Sequence, residues 1–426
     1  MWPVERGLLL SLSLSLTGCG DKGGDDTGGD PDDDTGTGDG GGGDGGGDGG
    51  SSAGEDEALF REAVLGAVEP AVALADIAQR GGLPVQTASG SFLFGCLCGD
   101  GDWALAGDHD GWAGAAMERS GALSWIEVEI PTPDGSLYKF VEGGTDWTAD
   151  PMARRYAYDE FGEYSLVRAS AAHLERWLDV GGEGLEGREL RVWVPDGGAF
   201  THALYAQDGQ NLFDPAAIQG GWRLNDSLPE GVLVVGVDNT AARMDEYTHV
   251  EDVIHGTTYG GLGDAYADLL TGTIRPLIEA QYGGAEVHGL MGSSLGGLIS
   301  AHTADRHPED WDMVISLSGT MGWGSIGADN QTMPERWEAA GHGPVAIYLD
   351  SGGGGTCWDG DGDGVPDDDP SSSDNYCENV WMAQTLAGVG YGWEVDLWHW
   401  HEPGASHDEA AWAARVWRPL EIFAAL

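Results

Sequence analysis

Basic residues are scarce in this chain: 426 residues carry 19 Lys plus Arg against 72 Asp plus Glu, a formal net charge of −53. A surface so short of cations repels nucleic acid and anionic lipid headgroups, which excludes both as partners. Long apolar runs are also missing. The run from Gly7 to Leu16 is too short to span a bilayer. Nothing in the chain has the pattern of a redox or phosphate-binding cofactor site, so no cofactor is expected for catalysis. Cysteine is sparse, with five in all.

Gly7 to Leu16, with Arg6 before it, reads as the apolar part of an export signal. Leu16-Thr17-Gly18-Cys19 resembles a bacterial lipobox, whose cysteine is lipidated. The expectation is a lipoprotein signal over 1–19, with the protein exported to the bacterial cell envelope and touching membrane only through that anchor, or secreted. Residues 20–54 are nearly all Gly, Asp, Thr and Ser. They have nothing to bury and are expected to form a disordered acidic tether.

Without Cys19 four cysteines remain, an even number for an oxidising compartment. Cys357 and Cys377 flank an Asp-rich insertion, 352–373, and could close it as a loop. Cys96 and Cys98 lie two apart on one expected strand, with side chains on opposite faces. A bridge between them would be strained, free thiols are the plainer reading, and the sequence leaves the pair unassigned.

Glu55 to Arg80 has helical apolar spacing ended by Gly81-Gly82. Short strands follow to about residue 168. Two of them, Ser124 to Ile130 and Leu137 to Val141, flank Pro133-Asp134-Gly135 and read as a hairpin. Leu174 to Gly187 reads as a linker or short helix. From Arg188 onward short Val-, Leu- and Ile-rich runs alternate with helical patterns. That alternation predicts a mostly parallel sheet with helices on both faces.

The most informative stretch is Leu290-Met291-Gly292-Ser293-Ser294-Leu295-Gly296-Gly297. It holds G-x-S-x-G between an apolar strand pattern and a helical one, the context of a nucleophile elbow on Ser294. A serine hydroxyl needs a base, and the base an orienting acid. In the order Ser, acid, His, the base falls after the last strand, which points to His407 in the loop 402–407 rather than His401 or His399. The acid follows the strand Val345 to Leu349. Asp350, the Asp359–Asp369 run, Asp374 beyond the insertion and Glu378 are the candidates. Oxyanion donors are expected from the amide of Leu295 and from Gly209 or Gln210 after the strand His202 to Gln207.

Leu204-Tyr205-Ala206-Gln207-Asp208-Gly209-Gln210-Asn211-Leu212-Phe213-Asp214 resembles Y-x-x-D-G-Q-N-L-F-D of an esterase family. That family includes enterochelin esterases, feruloyl esterases and formylglutathione hydrolases. Val234 to Asn239, Arg243 and Glu246-Tyr247-Thr248 continue the likeness in order. It implies an α/β-hydrolase over 185–426 and a serine esterase, with Asp374 as the acid preceding a helix. Leu105 to Trp112, Met117, Tyr138 to Val141, Trp147 and Asp150-Pro151 are similar to the N-terminal immunoglobulin-like module of glycogen-branching enzymes and enterochelin esterases. This implies a small all-β sandwich within 55–170, in which Trp112 and Trp147 read as core.

Asp359, Asp361, Asp363, Val365 and Asp367 have the spacing of an EF-hand-like calcium loop, with Gly364 at its sixth position. The twelfth position is Pro370, not an acid. A structural calcium ion is the expectation. The resulting reading is an exported serine esterase for a small-molecule ester, enterochelin-esterase-like, or for a feruloyl or acetyl ester on polysaccharide. A non-catalytic surface binding protein and an acyltransferase are the other classes.

Overall fold

The computed structural model describes residues 50–360, 362, 364–366 and 374–426. Cys19, most of the tether, and Asp361, Asp363 and Asp367 lie outside the described residues. The strand Met313–Leu317 shows how the main sheet is built. Val314 packs into one apolar core, while its neighbours Met313 and Ile315 pack into another. Period-two alternation of wholly apolar residues is what a strand covered on both faces requires.

Six such strands run parallel, in the order Leu397–His401, Ala346–Ser351, Met313–Leu317, Val287–Ser293, His202–Gln207, Val232–Val237. The helices Gly263–Leu269, Leu295–Arg306, Met333–Ala340 and Tyr376–Val389 cover one face. The short helices Glu409–Ala413 and Trp417–Phe423 contribute Trp412, Leu420 and Phe423 to the other. This is the α/β-hydrolase arrangement that the sequence led us to expect. The chain enters at His202–Gln207, steps to one side, then returns to Val287–Ser293 on the other. A crevice opens at the carboxyl ends of strands where the winding reverses, and ligands bind there in open α/β sheets.

Several expectations are corrected. Residues 174–187 are not a linker or helix: His173–Gly182 and Leu185–Val194 form a long antiparallel hairpin. This hairpin joins the parallel strands to Arg155–Asp159, Gly162–Leu166, Leu137–Glu142 and Trp103–Gly107, so one fourteen-stranded ladder runs through both parts of the chain. A second sheet of four strands contains Phe92–Cys96 and Leu123–Val128.

The expected hairpin across Pro133-Asp134-Gly135 is absent, because Leu123–Val128 and Leu137–Glu142 belong to different sheets. Pro131 and Pro133 cannot donate to a ladder, and the segment instead crosses over, with Gly135 donating to Arg168 O. The first helix is two, Gly50–Val64 and Pro70–Ala78. The first begins inside the stretch assigned to the tether. Pro70 starts the second, a position where its missing N–H costs nothing.

Cys96 and Cys98 are not free thiols but form a disulfide, with Cα atoms 5.2 Å apart. Cys357 and Cys377 are bonded as expected, Cα to Cα 5.5 Å. Trp112 and Trp147 are not core. Trp147 is 46% exposed, and the two rings lie 5.9 Å apart at the surface. Tyr138 and Asp150 do meet in the interior, hydroxyl to carboxylate at 2.8 Å.

Candidate active site

Ser294 follows the strand Val287–Ser293 and precedes the helix Leu295–Arg306. Its backbone has φ 55° and ψ −125°, a conformation that a residue with a side chain rarely holds. The turn survives because its surroundings fix it. Ser294 N donates to Leu317 O at 3.0 Å, and Thr320 N donates to Ser294 O at 3.2 Å. The flanking glycines are sterically required: a Cβ on Gly292 would run into the backbone of Gly296, and one on Gly297 into the Ser316 hydroxyl. The amide of Leu295, in the helix's first turn, is one that a helix leaves without an internal acceptor.

The other predicted oxyanion donors, Gly209 and Gln210, sit in a turn of 3₁₀ helix directly after His202–Gln207. The bonds of that turn come from Asn211 N and Leu212 N, so they do not use the amides of Gly209 and Gln210. Gly209 has a reason of its own to be glycine: a Cβ there would lie 2.6 Å from Gly236 C, so the close approach is to the neighbouring strand.

Asp208 leads into this turn at φ 57°. Its carboxylate takes Arg243 Nε at 2.7 Å, Arg243 Nη2 at 2.8 Å and Asn239 Nδ2 at 2.6 Å. The sequence pattern Asp208, Asn239, Arg243 is therefore one ionic clamp that fixes the loop carrying Gly209 and Gln210. A Cβ on Gly296 would meet Gln207 and Asp208, which places this loop against the start of the elbow helix.

His407 and Asp374 are brought together. His407 Nδ1 lies 2.7 Å from Asp374 Oδ1. The imidazole is about one-third exposed and the carboxylate fully buried. Asp374 Oδ2 accepts from Ser318 Oγ at 2.7 Å, from Arg415 Nη2 at 3.2 Å and from the amide of Gly352. Trp412 packs its ring edge-on against His407, centroids 5.0 Å apart, and donates through Nε1 to Ser318 Oγ at 3.1 Å.

The alternatives do not converge. Asp350 ends the strand Ala346–Ser351 and faces Arg415 Nε at 3.1 Å. Burial pushes its carboxyl up to about 6, with Arg415 pulling the other way. His401 lies in the last strand against Gly353 O, and burial lowers the His399 imidazole to about 4. Glu378 accepts Gly322 N at 2.8 Å.

Ser318, Thr320, Trp412 and Arg415 escaped the sequence reading. Thr320 Oγ1 is 3.5 Å from Ser294 Oγ and receives Asn375 Nδ2 at 3.2 Å. One signal was available: Ser318-Gly319-Thr320 follows Met313–Leu317 at the carboxyl edge of the sheet, where site residues gather.

Of the predicted calcium ligands only Asp359 and Val365 are described. The Asp359 carboxylate accepts Gly362 N at 2.6 Å and Gly364 N at 3.1 Å. Each oxygen retains lone-pair capacity for a hard cation. Among the described residues no group of three His, Cys, Asp or Glu side chains could hold a metal ion.

The family model described as "Putative esterase" matches residues 186–415, more than half of the chain. The chain belongs to that family. It is 33% identical over 148 residues to the uncharacterized protein YbbA of Bacillus subtilis, covering 31% of this chain and 57% of that protein. It is 26% identical over 134 residues to the siderophore triacetylfusarinine C esterase of Aspergillus fumigatus, covering 29% of this chain and 45% of that protein. The chain thus spans about half the length of the curated relatives it matches. Among solved structures it is similar to the enterochelin esterase of Shigella flexneri, at 12% identity and a TM-score of 0.45, over 78% of this chain and 92% of that one.

Proposed function

We propose that the protein is a serine carboxylic ester hydrolase working through an acyl-enzyme on Ser294. The observation that carries this is the bond from His407 Nδ1 to the buried Asp374. With Nδ1 committed as a donor, the lone pair of the neutral imidazole lies on Nε2, where a base must have it.

Ser294 Oγ attacks the ester carbonyl carbon and His407 Nε2 takes its proton. The tetrahedral oxyanion is held by the amide of Leu295 and that of Gly209 or Gln210. As the intermediate collapses, the imidazolium returns the proton to the departing alkoxy oxygen and the alcohol leaves. Water then attacks the acyl carbon as His407 Nε2 takes its proton, and the imidazolium returns that proton to Ser294 Oγ as the acyl bond breaks and the carboxylic acid leaves. Asp374 orients the imidazole and stabilises the imidazolium.

The substrate class we infer is a small-molecule ester of the siderophore kind. The Aspergillus relative named for such an ester supports this. A polysaccharide ester is the second reading, favoured by the surface pair Trp112 and Trp147. Hydrolysis of p-nitrophenyl butyrate by the purified protein, lost in Ser294→Ala, tests the chemistry. Activity retained in Ser294→Ala would overturn it, and ester products formed with added alcohols would mark an acyltransferase instead.

Three expectations remain proposals alongside this one. Lipidation at Cys19 and export predict palmitate labelling of the membrane fraction, abolished in Cys19→Ala. Calcium at Asp359, Asp361, Asp363, Val365 and Asp367 predicts a melting temperature lowered by a chelator and restored by calcium. An immunoglobulin-like module within 55–170 predicts two facing sheets in a crystal structure.

A further inference from the structure

Arg415 lies in the turn between the two last helices, with its side chain 2% exposed. Every arm of its guanidinium is engaged. Nε faces Asp350 Oδ1 at 3.1 Å, Nη1 donates to Ala411 O at 3.3 Å, and Nη2 reaches Ser318 Oγ at 2.7 Å and Asp374 Oδ2 at 3.2 Å. Asp350 and Asp374 are both fully buried. Two buried carboxylates therefore share one cation, and one of the two carries the imidazole.

We propose that Arg415 is a positioning residue for the acid–base pair. Locked by Asp350, it pins Oδ2 of Asp374 so that Oδ1 faces His407. This rests on the serine hydrolase reading above. An ionised carboxylate without a cation in such a site would take up a proton and lose its hold on the imidazole. Ser318 and Trp412 close the same cluster, through the bonds to Asp374 and Arg415 and the ring contact with His407.

Among the described residues, other ionisable groups also bear on the cluster. The Tyr348 hydroxyl is 3.5 Å from Asp350 Oδ2, and Arg418 acts on Tyr348. On the solvent side Glu409 feels His407, Asp408 and Asp208. None of them touches Asp374.

The test is steady-state hydrolysis of p-nitrophenyl butyrate against pH for the wild type, Arg415→Gln, Arg415→Lys and Asp350→Asn. Arg415→Gln is expected to lower kcat on the order of 10- to 100-fold with KM nearly unchanged. It should also raise the acid limb of kcat/KM by about one pH unit, whichever member of the pair takes the proton. Arg415→Lys restores part of both effects. Asp350→Asn moves the acid limb the other way, because it removes a negative charge.

If Arg415→Gln does not fold, Asp350→Asn/Arg415→Gln keeps the buried charge balance and is measured instead. A folded Arg415→Gln with wild-type kcat and acid limb, or a folded double variant with wild-type kcat, overturns the proposal. Should the wild type hydrolyse no ester, the NMR titration of His407 still decides. A midpoint that rises in Arg415→Gln supports the positioning role, and an unmoved midpoint refutes it, independently of the hydrolase reading.

Discussion

Asp374 Oδ1 lies 2.7 Å from His407 Nδ1, although 33 positions separate the two residues in the chain. Asp350, at the end of a strand in the parallel sheet, spends its carboxylate on Arg415 instead. Of the two acids, only the one beyond the insertion meets the imidazole.

Asp374→Asn should therefore lower kcat by roughly 10³- to 10⁴-fold while KM changes little, because the imidazole loses its tautomer and its counter-charge. Asp350→Asn should cost far less. Steady-state kinetics on a short p-nitrophenyl ester would separate them, and equal losses would contradict the assignment.

Gly292→Ala tests the elbow. The added methyl has no room against the backbone of Gly296, so the turn must shift. A stability loss of about 1–3 kcal/mol in urea melts is expected, together with nearly complete loss of esterase activity. A stable variant with full activity would mean that the turn is not tight.

The clamp on the oxyanion loop predicts a coupled loss. Arg243→Met leaves the Asp208 carboxylate with fewer partners, which costs about 2 kcal/mol on the scale of charge-assisted hydrogen bonds. It also frees the turn that carries Gly209 and Gln210. Denaturation and kcat should fall together, whereas destabilisation with unchanged kcat would mean that the clamp serves the fold alone.

A pH prediction follows from Asp150. Burial pushes its carboxyl up to about 6, despite hydrogen bonds from Met152 N and Tyr138. A carboxyl whose folded pKa lies above its unfolded value of about 4 binds protons better when folded. Its contribution to stability is full below about pH 4 and declines as pH rises through about 6. The melting-temperature difference between Asp150→Asn and wild type should therefore shift in favour of the variant from pH 4 to pH 7. A difference constant with pH would refute this.

The parallel sheet was legible because its central strands are mostly apolar and buried and its turns carry Gly and Asp at informative places. The elbow was legible because a tight strand-to-helix turn around Ser294 leaves no room for a side chain at Gly292. The N-terminal part was read less well, for a physical reason. Half-buried strands with mixed faces do not say which sheet they join, so Leu123–Val128 and Leu137–Glu142 were paired wrongly. His173–Gly182 carries Glu175, Arg176 and Asp179, and looked like a linker. Glu175 and Arg176 are matched by side chains from other strands, Glu175 by Arg155 and Arg176 by Glu163 and Glu189. Arg415 was missed for the same reason, since an arginine in a helical pattern reads as surface until its partners are seen.

The continuous ladder has one more consequence, for anyone cutting the molecule into parts. A fragment starting near residue 185 would expose the outer edge of Leu185–Val194, which in the full chain is bonded to His173–Gly182. A ten-residue strand with open donors and acceptors is a template for pairing with a second copy. Isolated as that fragment, the C-terminal part is expected to pair edge to edge, a hazard that the strands before it cover in the full chain.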